Sequence, residues 1–114
     1  MLRKKPRERD ELMPGTLEML ILKVLSREAK HGYGIAQAIQ QISDEVLRVE
    51  EGSLYPALQR MQIKGWVTSE WRMTDNNRKA RFYDLTADGR EQLTAETEKF
   101  RRMTGAIWRV LEVT

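Results

Sequence analysis

Apolar and polar positions along the chain separate into stripes at the helical period, interrupted once by two alternating runs. Leu17, Leu20, Ile21, Val24 and Leu25 form the first stripe and predict a helix from residue 16, with Thr16 as its N-cap, to about residue 28. Met19 and Leu22 fall on the opposite side, so this helix is apolar nearly all round. Its second face calls for a further partner, supplied by dimerisation or by a returning helix. Residues 29–32 read as a turn, and Ile35, Ala38, Ile39 and Ile42 predict a second helix over 33–42. Ser43, Asp44 and Glu45 close it, and residues 46–49 alternate as a short extended segment.

The third stripe is Leu54, Ala57, Leu58 and Met61, while Tyr55, Gln59 and Arg60 project from the other side with Ser53 at the start. Pro56 is tolerable in the first turn, which predicts a helix beginning at Gly52 or Ser53 and ending at Gly65. The link before it is longer than the turn of a minimal helix-turn-helix, so a looser variant is expected. Residues 66–73 and 81–85 are β-prone and flank a turn cluster at 74–77 followed by Arg78 and Lys79, which makes a two-stranded wing. Thr86 caps a last, long helix. Along it Leu93, Thr97, Phe100, Thr104, Ile107 and Leu111 recur at separations of four and three, with Met103 and Val110 flanking, like a short coiled-coil seam. The expected fold is mainly α with a small β-hairpin wing: a winged helix-turn-helix plus a long C-terminal helix. Its parts are a basic arm (1–13), the winged helix (14–86) and a dimerisation helix (87–114).

At 114 residues the chain holds one modest core, and the absence of cysteine removes disulfides, thiol nucleophiles and cysteine-based zinc sites. No signal-type segment follows the basic N-terminus, and residues 17–25 are too short to cross a bilayer, so a soluble, cytoplasmic protein without membrane association is expected. The net charge is only +3, but it is unevenly spread. Residues 76–81 carry Arg78, Lys79 and Arg81 without an acid, and Arg3, Lys4, Lys5, Arg7 and Arg9 crowd the arm. Both stretches suit phosphate, and each is also an ordinary solvated surface.

The exposed side of the third helix is the candidate DNA-reading face. Gln59 suits adenine and Arg60 suits guanine, while Ser53 and Tyr55 suit phosphate or base edges and Lys64 suits phosphate. Ser53 also serves merely to cap, and Tyr55 also lies well along the surface. Tyr33 either reaches phosphate or packs on the third helix. Asn76, Asn77, Arg78 and Lys79 form a wing tip fit for the DNA backbone or a minor groove, and equally for a plain hairpin turn. Trp108, beside the apolar seam, is the candidate for a flat hydrophobic effector, against simple packing or exposure. His31 reads as structural or solvated. With no catalytic constellation, metal-ligand cluster, cofactor or phosphate loop in view, an enzyme is not expected. A winged-helix protein-interaction module that does not bind DNA is the alternative.

Three segments, residues 15–22 with 31–35, residues 51–58 and residues 81–89, resemble the PadR family of bacterial transcriptional regulators in wording and order. The resemblance is to the short subgroup with a single C-terminal helix. It implies a homodimer in which the last helix packs on the partner's last and first helices through Met19, Leu22, Leu93, Phe100, Met103, Ile107, Val110 and Leu111. It also implies a repressor on a palindromic operator in double-stranded DNA, with recognition helices in successive major grooves. The arm before Pro14 is longer than the resemblance requires.

Overall fold

The computed structural model, which describes residues 15–114, contains four helices and three strands among those residues. They are α1 (Thr16–Leu25), β1 (Lys30–His31), α2 (Gly32–Ile42), α3 (Glu51–Ile63), β2 (Val67–Met73), β3 (Lys79–Leu85) and α4 (Ala87–Leu111). The strands form one antiparallel sheet in the order β1-β3-β2. The basic arm expected over 1–13 lies outside the described residues.

The first helix departs most from expectation. Thr16 opens α1 rather than capping it, because Gly15, in left-handed backbone at φ 88°, takes the N-cap position without a side-chain bond. The helix stops at Leu25, three residues early, where the Ser26 hydroxyl donates to the Lys23 carbonyl at 2.6 Å. Its all-round apolarity has an intramolecular cause: α1 is packed against α2, α3, β3 and α4 of the same chain. Leu22, expected on a dimer surface, is fully buried alongside Ile21 and Leu25, and burial of such a side chain is worth about 1.5–3 kcal/mol. The returning helix α4 brings Leu93 onto this core, so Leu93 too has an intrachain role. Ile35 and Ile39 of α2, Leu54, Leu58 and Met61 of α3, and Val67, Tyr83 and Leu85 of the sheet complete the interior.

Residues 30 and 31, read as part of a turn, are a strand: Lys30 pairs with Tyr83 and His31 with Phe82. Two residues are too few for alternation to be visible. His31 is structural, its Nδ1 accepting the Gly34 N–H at 3.0 Å to cap α2, and its ring meeting Phe82 edge-on at 5.2 Å.

Helix α3 begins at Glu51, one residue before the expected start. The Glu50 carbonyl accepts from Ser53 at 3.0 Å and Leu54 at 2.9 Å, so Pro56 falls in the second turn, not the first. Lacking an N–H, Pro56 cannot bond the Gly52 carbonyl, and both residues stand on the exposed side, where water can serve it. Gly65, at φ 80°, ends the helix as expected: its N–H bonds Gln62 at 3.0 Å and the Trp66 N–H returns to Met61 at 2.9 Å.

The start of α4 is joined to the end of α3. The Thr86 N–H donates to the Trp66 carbonyl at 3.0 Å, and its hydroxyl donates to the Gly65 carbonyl at 2.7 Å while accepting the Gly89 N–H at 3.0 Å. A β-carbon on Gly89 would lie 2.2 Å from the Trp66 carbonyl oxygen, so the approach requires glycine.

Candidate nucleic-acid interface

The stripe Leu54, Ala57, Leu58 and Met61 is buried, which turns Ser53, Tyr55, Gln59, Arg60 and Lys64 outward. These exposed residues do not form one patch. Consecutive residues diverge by about 100° around a helix, so Gln59 and Arg60 lean to opposite flanks.

On the first flank, Tyr55, Gln59, Gln62 and Ile63 share an open groove of about 580 Å³ with Arg81 and Tyr83 of the wing. On the other, Arg60 and Lys64 turn to α1, where Glu18 holds both: Arg60 Nε lies 2.9 Å from one carboxylate oxygen and Lys64 Nζ 3.6 Å from the other. Lys64 also stands over the Trp66 ring at 4.5 Å.

A second groove, of about 600 Å³, brings Tyr33 and Tyr55 together with Asn76, Arg78 and Lys79. Tyr33 is 69% exposed at the start of α2 and its ring stacks on His31, so it is not packed away against α3. The tip is a three-residue loop at 75–77 closed by Thr74 and Arg78. The Thr74 N–H donates to the Arg78 carbonyl at 2.7 Å, the Asn77 N–H to the Thr74 carbonyl at 2.9 Å, and the Arg78 N–H to the Thr74 hydroxyl at 3.3 Å. Asn77 takes left-handed backbone, φ 63°, which asparagine tolerates better than most residues. Its turn chemistry therefore accounts for Asn77, and Asn76, Arg78 and Lys79 are the tip residues that line the groove.

The grooves also contain residues that pattern reading passed over. The register pairs Val67 with Leu85, Ser69 with Tyr83 and Trp71 with Arg81, so one face of the hairpin runs from the core out to an exposed Trp71. Arg81 lies over the Trp71 ring at 5.7 Å and its Nε donates to the Ser69 hydroxyl at 2.9 Å, which in turn donates to Gln62 Oε1 at 3.3 Å. This chain of contacts fastens the wing to α3. Period-two counting outward from Val67 identifies Trp71 as a groove residue. Beneath it, burial raises the Tyr83 phenol above its usual titration range, with the Arg81 charge opposing.

Away from these grooves, α4 exposes Phe100, Met103, Ile107, Val110 and Leu111, with Trp108 at 59% exposure among them. Met19, partly exposed, lines a cleft of about 270 Å³ between α1 and α4 together with Phe100 and Met103. Among the described residues no group of acids and histidine has metal-binding geometry, and no helix is long and apolar enough to cross a membrane.

Residues 21–95 match the transcriptional regulator PadR-like family. The chain is 36% identical over 75 residues to the transcriptional regulator Rv3488 of Mycobacterium tuberculosis, covering 66% of this chain and 69% of that one. It is also 36% identical over 91 residues to an uncharacterized 37.1 kDa protein in transposon TN4556 of Streptomyces fradiae, covering 80% of this chain but only 25% of that longer protein. Among solved structures, a PadR-like transcriptional regulator from Bacillus cereus superposes with a TM-score of 0.75 at 27% identity, over 88% of this chain and 95% of the other. A PadR family regulator from Eggerthella lenta gives 0.74 at 27% identity, over 88% and 85%. That family consists of transcriptional regulators rather than enzymes. With the match running from the middle of α1 into α4, this protein belongs to the PadR-like family of transcriptional regulators.

Proposed function

We propose that this regulator is a homodimeric repressor that binds a palindromic operator in double-stranded DNA through α3 and the wing. The observation that carries the reading is the convergence of Tyr55 and Gln59 on α3 with the wing cations Arg78, Lys79 and Arg81 around two adjoining grooves. Gln59 reads a base edge, and Tyr33, Ser53, Tyr55 and the wing tip engage phosphates that set the register. The exposed apolar face of α4 at Met103, Ile107, Val110 and Leu111, extended by Met19 and Phe100, is the dimer surface, and two-fold symmetry makes the operator palindromic. A flat hydrophobic effector seated beside Trp108 would alter the spacing of the two reading helices.

Selection of genomic fragments by the purified protein, with its mass in solution measured alongside, tests the reading. A dimer that enriches a palindromic site supports it. A monomer, or no enrichment at moderate salt, refutes it and favours a protein-interaction module instead.

A further inference from the structure

Arg60 of α3 and Lys64 at its C-cap are already paired in the DNA-free chain. Glu18, on α1, places one carboxylate oxygen 2.9 Å from Arg60 Nε and the other 3.6 Å from Lys64 Nζ. The contact spans 42 residues of sequence, and the Glu18 side chain is only 18% exposed while Arg60 is 55% exposed. A carboxylate so placed stays with its partners, whereas the two cations remain reachable from solvent. We infer that Glu18 is a specificity-determining residue, a built-in counterion that withholds Arg60 and Lys64 from the phosphates of random DNA. This inference rests on the DNA-binding reading above.

Non-specific affinity comes almost entirely from phosphate neutralisation. An internal carboxylate bridging two cations subtracts from it, because a phosphate must displace Glu18 before gaining either contact. A guanine edge facing Arg60 adds base-specific hydrogen bonds to whatever the neighbouring phosphates offer, so a correct site repays the displacement more fully than a random one. Tight binding is thereby confined to sequences that Arg60 can read.

The test is fluorescence anisotropy of a short mixed-sequence duplex with the full chain, titrated over a range of salt concentrations. Glu18→Gln is expected to bind it about fivefold tighter, the scale of a half-exposed ion pair. The slope of log affinity against log salt should steepen by about one. In a double-mutant cycle, Arg60→Ala should cost more affinity in the Glu18→Gln background than in the parent. Glu18→Asp, which keeps the charge but shortens its reach, should give a smaller gain of the same sign and serves if the glutamine variant melts early. Equal or weaker binding by both variants, with the slope unchanged, overturns the counterion role. If no form binds duplex even at low salt, the DNA-binding reading itself fails and this inference falls with it.

Discussion

Tyr55 lies directly over Gly32: a β-carbon built on Gly32 would stand 2.5 Å from the Tyr55 hydroxyl oxygen and 2.7 Å from its ring. The first residue of α2 thus sets the position of a side chain on α3 that borders both grooves. Gly32→Ala leaves the helical backbone unstrained, so the tyrosine ring must swing away. Within the proposed DNA-binding reading, the expected result is operator binding about fivefold weaker, a loss near 1 kcal/mol, with little change in melting temperature. Anisotropy and thermal melting of the same sample separate the two effects, and an unchanged affinity would remove Tyr55 from the DNA contacts.

Gly89 is the opposite case, since what blocks its β-carbon is backbone. With the Trp66 carbonyl oxygen 2.2 Å from that position, Gly89→Ala must separate the start of α4 from the end of α3. A loss of about 2 kcal/mol is expected, lowering the melting temperature by roughly 10 °C. Calorimetry reads this directly.

Within the DNA-binding reading, Gln59 and Arg78 separate by role. Arg78→Ala should weaken all duplexes alike and reduce the salt slope by about one, whereas Gln59→Ala should lower affinity for the enriched operator by about tenfold and leave random DNA nearly unaffected. Equal losses on both duplexes for the Gln59 variant would exclude base reading by that residue.

The apolar face of α4 makes a prediction about mass. Ile107 and Leu111 are exposed in the single chain, so placing lysine at both leaves its core intact while charging the proposed dimer surface. Light scattering should then report half the parent mass, with α-helical signal retained. A dimer that survives both substitutions would place the interface elsewhere.

Tyr83 predicts an alkaline limit to stability. Burial raises its phenol above the ordinary value of about 10, so the folded chain holds that proton more tightly than the unfolded chain. The contribution is fully present below the unfolded value and is lost as pH rises through the folded one. The melting temperature should therefore fall above about pH 10, and Tyr83→Phe should flatten that part of the profile. A profile unchanged by the substitution would assign the alkaline loss to other groups.

What the chain disclosed on reading, and what it withheld, divides by the range of the interaction. The stripe Leu54, Ala57, Leu58 and Met61 and the Thr86 cap are local patterns, and both stand in the structure where their spacing puts them. Leu22 sits in the core of the single chain and not on a dimer surface, because an apolar helix announces how many neighbours it needs, not which chain supplies them. The two-residue strand β1 was too short to carry a period. The pairing of Glu18 with Arg60 is invisible at a distance of 42 residues, so α3 taken by itself presents Arg60 as part of one polar face. Trp71 was within reach of simple alternation and shows that a strand should be counted outward from its buried end.

The hydrogen bonds from Thr86 to Gly65 and Trp66, with Gly89 packed against the Trp66 carbonyl, mount α4 as an arm on the end of α3. Its 25 residues extend about 37 Å from that mount. A swing of only 5° about the mount carries the far end through about 3 Å at this helical rise, close to the separation of successive base pairs. Within the proposed DNA-binding reading, a shift of a few ångströms around Trp108 would thus correspond to only a few degrees at α3, and the Thr86 joint together with the packing of α4 on α1 sets how faithfully that motion is transmitted.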